Sequence, residues 1–130
     1  LNRKLKLDGG GKSKRSFIYI SDVCKATYEL CKKSVNGDVY HISTSQLVSI
    51  KDLVEIIFKI KKKSTKKLVK ISRDRIGKDN LYSLSSNKIR KEIKWKPTIS
   101  LKNGLLKTMK WAEENIDILK AQPDRYIHKK

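Results

Sequence analysis

The sequence predicts an α/β fold in which short strands alternate with amphipathic helices. Three observations carry that prediction. Apolar residues recur at helical spacing in four separate segments. Short runs rich in branched and aromatic residues lie before or between those segments. Residues that favour turns and caps mark most of the connections. The expected order is strand–helix–strand–helix–strand–helix–helix.

Leu1 to Asp8 alternates apolar and basic residues and reads as an extended lead-in. Gly9, Gly10 and Gly11 follow, where the backbone can reach positive φ without a Cβ clash. Lys12, Lys14 and Arg15 place positive charge just after them. Phe17 to Ile20 reads as the first strand, and Ser21 or Asp22 can cap the next helix. Val23, Ala26, Thr27, Leu30 and Cys31 then repeat as one helix face, giving a helix over 22–33. Asn36-Gly37-Asp38 signals a turn, and Val39 to Ser43 reads as a second strand.

Ser49 and Asp52 resemble a capping box ahead of a helix that buries Ile50, Leu53, Val54, Ile57 and Ile60. Lys61 to Lys67 has nothing apolar to bury and reads as an exposed connection. Leu68 to Ile71 reads as a strand, and Ser72 to Tyr82 as a loop of mixed charge around a glycine. A helix starting near Ser85 or Ser86 buries Ile89 and Ile93, and Trp95-Lys96-Pro97 ends it. Ser100 caps a last helix that reaches Ile116 or Leu119. Residues 1–120 read as one region and 121–130 as an irregular basic tail.

The 130 residues carry a net charge of +19, which brings polyanions into consideration. Lys outnumbers Arg roughly fourfold and is spread over every segment, whereas phosphate and base readers favour clustered Arg. A basic nucleic-acid-binding module is therefore the alternative of a different class, not the leading one. No apolar run is long enough for a membrane span, so no membrane partner is expected. Cys24 and Cys31 lie two helical turns apart, about 10 Å at 1.5 Å per residue. That exceeds disulfide reach, so free thiols in a reducing cytoplasmic compartment are expected. Two histidines and no C-x-x-C argue against a zinc site.

The glycine turn excludes two sharper motifs. A P-loop needs a leading glycine where this chain has Lys6, and a strand before the glycines rather than after. A dinucleotide fingerprint needs glycines that open directly into a helix. What remains is a flexible loop that delivers Arg15 to a strand edge. That suits a phosphate-bearing ligand, although basic surface loops have the same composition.

Three ordered segments resemble one family. LKLDGGGKSKRSFIYISDVCKA, DRIGKDNLYSLSSNKIRKEIKWKP and Ser100 to Trp111 are similar, at natural spacing, to motifs of the nucleotide-sugar epimerases and dehydratases. These are extended short-chain dehydrogenases, and the resemblance covers essentially the whole chain. It implies the C-terminal, substrate-binding portion of an extended Rossmann fold, and hence a fragment of a longer enzyme. It implies that Arg15 and Arg75 hold the diphosphate of a nucleoside diphosphate sugar, that Asp79 accepts from the ribose, and that Leu5, Lys6 and Leu7 lie along the base. Asp22, Trp95, Pro97 and Gly104 are expected to be structural.

The chain departs from the family pattern at Lys6, Ile76 and Lys78, where proline, proline and histidine are usual. The spacing of Arg75 and Asp79 resembles the dehydratase branch, of the dTDP-glucose 4,6-dehydratase type, so a dTDP-sugar is favoured; a 4-epimerase or reductase is the near alternative. Such an enzyme uses NAD to oxidise the sugar at C4, eliminates water across C5 and C6, and returns the hydride to C6. This segment lacks the glycine fingerprint for NAD. Its Y-x-x-x-K strings, Tyr28/Lys32 and Tyr126/Lys130, fall after the glycine loop and in the tail, not where the family's catalytic pair lies. The expectation is therefore no catalytic residue here, with NAD bound by an N-terminal Rossmann half, a homodimeric parent, and no turnover by the fragment alone.

Overall fold

A computed structural model describes residues 4–33 and 37–123. The start of the lead-in, Asn36 of the expected turn and residues 124–130 of the tail, with Tyr126 and Lys130, lie outside them. Five short strands and six helices follow one another. They are β1 (Leu5–Asp8), β2 (Lys14–Ser16), α1 (Ile20–Lys32), β3 (Leu47–Ser49), α2 (Ile50–Ile60), α3 (Thr65–Leu68), β4 (Val69–Ser72), β5 (Leu81–Tyr82), α4 (Asn87–Ile93), α5 (Leu101–Glu114) and α6 (Ile116–Ala121).

The strands form two small sheets. In one, β1 pairs with β4 in parallel, Leu5 opposite Val69 and Asp8 opposite Ser72. In the other, β2 lies between antiparallel β3 and parallel β5. Gly9–Gly11 form a 3-10 turn joining the sheets, with φ of 58°, 70° and 69°. A Cβ on Gly11 would stand 2.9 Å from the backbone nitrogen of Lys51, so the turn needs glycine to pack on the start of α2.

The strand expected at Phe17–Ile20 is displaced to Lys14–Ser16. Phe17, Ile18 and Tyr19 form no ladder but are half-buried, Ile18 against the core, and Ile20 already opens α1. Their side chains line an apolar cleft with Leu53, Ile99, Leu101 and Leu105. Branched and aromatic residues therefore signalled burial here rather than a ladder. The strand expected at Val39–Ser43 does not form among the described residues, and β3 appears instead at Leu47–Ser49. Such a run becomes a strand only with a backbone-paired partner; Ser43 touches β2 through its side chain, 2.8 Å from the Ser16 hydroxyl, but none of the described strands forms a ladder with the run.

α2 matches expectation. Ser49 accepts from the Asp52 amide at 3.0 Å and also donates its hydroxyl to the Asp52 carboxylate at 2.6 Å. The lysine-rich connection is exposed but contains one helical turn, α3, capped by Ser64. α4 ends at Ile93, where Lys94 turns left-handed with φ of 56°. The last helix is two helices: α5, capped by Ser100, breaks at Asn115 before α6 begins.

The core joins α1 to α4. Ala26 and Ile89 are fully buried and Trp95 nearly so, with Ile18, Leu30, Ile42 and Ile93 packed around them. Asp22 sits beside them, 2% exposed. It does not cap its own helix. Its carboxylate accepts from the Thr98 amide at 3.0 Å, the Thr98 hydroxyl at 2.7 Å and the Ile99 amide at 2.9 Å. Trp95 donates its indole N–H to the Asp22 carbonyl at 3.2 Å. Asp22 thus fastens the segment between α4 and α5 onto α1. Burial pushes its carboxyl up, but the bonds from Thr98 and Ile99, with nearby Lys25, hold it below 3.8. Gly104 lets α5 close on Tyr19, since a Cβ there would lie 3.3 Å from the Tyr19 side chain.

Candidate functional site

The loop between β4 and β5, residues 73–80, leaves one sheet and enters the other. It passes the glycine turn on the way, so the two most informative stretches of sequence meet. Parallel pairing brings Asp8 beside Ser72, and the Ser72 hydroxyl donates to Asp8 Oδ1 at 2.7 Å. At the other end of the loop, Lys14 donates its amide to the Asn80 carbonyl at 2.8 Å.

Arg15 is half-buried on β2. Its Nη1 donates to the Lys14 carbonyl at 2.7 Å and its Nη2 to the Asp79 carbonyl at 2.8 Å. The structure therefore brings Arg15 and Asp79 together, through the Asp79 backbone. Arg75 is exposed, and its Nε lies 3.1 Å from Asp8 Oδ2. Both arginines are anchored on the same loop and turn, one at each end. Each offers a planar fork of donors, the geometry that matches phosphate oxygens.

Leu5, Lys6 and Leu7 do not share a surface. Side chains alternate along a strand, so Leu5 and Leu7 face one way and Lys6 the other. Leu7 is buried, and it lines a cleft against α2 with Val54, Val69 and Ile71. Lys6 shares its face with Asp8, Lys70 and Ser72, the face that holds Arg75. Of the expected base-lining trio, Lys6 is the member on the arginine side.

Two further side chains, Asp74 and Lys78, complete the arrangement; the sequence offered them as part of a mixed-charge loop and, at Lys78, as a departure from the family pattern, not as site residues. Asp74 accepts from the Arg75 amide at 3.0 Å and from the Lys78 ammonium at 2.7 Å. Lys78 also donates to the Asp8 carbonyl at 3.2 Å. A Cβ on Gly9 would stand 2.2 Å from the Asp74 carboxylate, so the bare glycine is what lets Asp74 reach the turn. The Lys78 hydrogen bond holds the Asp74 carboxyl below its ordinary 3.8, against a smaller push upward from burial. The available signal was Asp74 and Lys78 four apart around a glycine, which mixed-charge surface loops also show.

The remaining candidates lie elsewhere. Lys32 stands 4.2 Å over the Tyr28 ring on the outside of α1, far in sequence from the glycine turn. Cys24 and Cys31 are free and exposed. Tyr40 donates to Glu92, and that bond, with burial and nearby carboxylates, pushes its hydroxyl up to about 12. The glycine turn runs into strand β2, not into a helix N-terminus, so it does not fit the pyrophosphate of a dinucleotide. No helix among the described residues is long and apolar enough to cross a membrane.

The chain as a whole is similar to known proteins. The family model described as GDP-mannose 4,6 dehydratase matches residues 1–108. The dTDP-D-glucose 4,6-dehydratase of Homo sapiens is 33% identical over 119 residues, covering 88% of this chain and 34% of that protein. The crystal structure of dTDP-glucose 4,6-dehydratase from Bacillus anthracis, in complex with NAD, superposes with a TM-score of 0.80 at 29% identity. It is covered over 36% of its length by 88% of this chain. The same enzyme from Streptomyces venezuelae, solved with NAD bound, gives a TM-score of 0.82 at 28% identity, over 89% of this chain and 36% of that one. The chain thus spans about a third of the length of the relatives it matches.

Proposed function

We propose a function from one premise: the chain belongs to the GDP-mannose 4,6 dehydratase family, within the nucleotide-sugar dehydratases and epimerases. It binds a nucleoside diphosphate sugar as the substrate-holding part of an NAD-dependent 4,6-dehydratase that acts on dTDP-glucose. The observation that carries this reading is that one loop, residues 73–80, engages both arginines: Arg75 lies on it and pairs with Asp8, and Arg15 donates to its Asp79 carbonyl.

Arg15 and Arg75 clamp the diphosphate, each presenting N–H groups to its oxygens. Arg75 exchanges its ion pair with Asp8 for the ligand, which is easy because that pair is solvent-exposed. The Asp79 carboxylate is exposed beside Arg15 and accepts from a ribose hydroxyl. Lys6 stands on the same face as Arg75 and adds a cation near the base end. Binding energy gathered here orients the sugar for chemistry at groups outside this chain. NAD would supply hydride acceptance and return, and nothing among the described residues is arranged to hold it. The parent is expected to be a cytoplasmic homodimer whose N-terminal half holds NAD.

Calorimetric titration of the full-length protein with dTDP-glucose tests the reading. R15A and R75A are each expected to weaken binding by roughly 1.5–3 kcal/mol, the value of a hydrogen bond to a charged group. Unchanged affinity in both variants would sink it. Loss spread evenly over many lysines, with steep salt dependence, would favour a polyanion-binding role instead.

A further inference from the structure

Lys78 is a lysine out of place. Its side chain is only 13% exposed, whereas lysines almost always keep their heads in water. Its ammonium bridges the two halves of the site, bonding Asp74 Oδ1 at 2.7 Å and the Asp8 carbonyl at 3.2 Å. Asp74 in turn holds the Arg75 amide. Between these anchors the chain makes a reverse turn. The Lys78 amide donates to the Arg75 carbonyl at 3.4 Å, and Gly77 has φ of 75°. Ile76 is not left-handed, so this is the pattern of a type II turn, whose second position favours proline. Here that position holds Ile76, which is fully exposed and packs on nothing. The turn therefore lacks both the stiffness of a proline and an apolar anchor.

We propose that Lys78 is a positioning residue, whose bridge from Asp74 to the Asp8 carbonyl holds the Arg75–Asp79 loop in its diphosphate-binding conformation. The inference rests on the reading of Arg75 as a diphosphate ligand. Lys78 supplies by tethering the constraint that proline would supply by covalent geometry.

The test uses the full-length protein, titrated with dTDP-glucose and, as a check on folding, with NAD. K78M keeps the aliphatic stem and removes the ammonium. It is expected to weaken dTDP-glucose binding about tenfold, the scale of a lost charged hydrogen bond, with NAD affinity unchanged. Adding I76P to K78M is expected to restore most of that loss, because proline pre-sets φ at this turn position. Wild-type affinity in K78M overturns the proposal. So does failure of I76P to rescue, which would make Lys78 a direct phosphate contact. Should K78M also lose NAD binding, D74N removes the other end of the tether from an exposed site. Its expected cost is about threefold, and no change would overturn the proposal. R75A separates the two readings: if it leaves affinity intact, the diphosphate assignment itself fails, whereas R75A weak with K78M intact refutes only the tether.

Discussion

Asp22 and Asp74 are both carboxylates that join distant parts of the chain, yet they do it by opposite means. Asp22 is buried and takes neutral donors, two amides and a hydroxyl, at fixed positions. Asp74 is exposed and takes a lysine and a single amide beside a free glycine turn. In low dielectric a hydrogen-bonded carboxylate cannot exchange partners cheaply, so Asp22 is architecture. At the surface, pairs are weak and replaceable, as is the exposed pair of Arg75 with Asp8 beside Asp74. One protein thus uses the same side chain as rivet and as latch, and depth decides which.

The contrast can be broken most forcefully at the buried end. D22A should cost about 2–4 kcal/mol in urea denaturation, because it leaves buried amides and a hydroxyl unpaired. That penalty should survive ~1 M salt, where the Debye length is about 3 Å and exposed pairs are screened. A penalty that vanishes in salt would place Asp22 with the surface carboxylates. Acid sharpens the same point. The folded Asp22 carboxyl sits below its unfolded value, so its stabilisation is present above pH 3.8 and is lost as pH falls through the folded value. The stability gap between wild type and D22A should therefore narrow below pH 3.8; a constant gap down to pH 2 or so would contradict the assignment. The smallest effect is W95F, which removes the indole N–H bond to the Asp22 carbonyl together with part of the ring's packing in the core, and should cost about 1–2 kcal/mol. A cost near zero would mean that neither the bond nor the lost part of the ring contributes to holding α1 against the segment before α5.

Much of this was legible beforehand where the signal is local. The stripe of α2, the Ser49 and Ser100 caps and the turn at Gly9–Gly11 all depend on neighbours a few residues away. The motif segments singled out Arg15 and Asp79, and the structure joins them by a hydrogen bond from Arg15 to the Asp79 carbonyl. What escaped depends on partners far along the chain. Val39–Ser43 reads as a strand, but among the described strands none pairs with its backbone. Lys14–Ser16 is polar, and becomes a strand because β3 and β5 flank it. Leu7 left the expected ligand surface because α2 covers its face of β1. Lys78 stood out only as a departure from the family pattern; its burial between Asp74 and the Asp8 carbonyl is what gives it a structural part.

The parallel pairing of β1 with β4 carries a consequence for how the molecule comes together. Asp8 and Ser72 are 64 residues apart, as are Arg15 and Asp79. Closing a chain segment of that length must precede any reward from the contacts it makes. The helices α1 and α2, built from near neighbours, can form while the site is still in two pieces. During synthesis the glycine turn leaves the ribosome long before residues 72–82 exist to receive it. The contacts that join the glycine turn to residues 72–82 are therefore among the last to assemble, and a nascent chain carries β1 and one edge of β2 unpaired until β4 and β5 arrive.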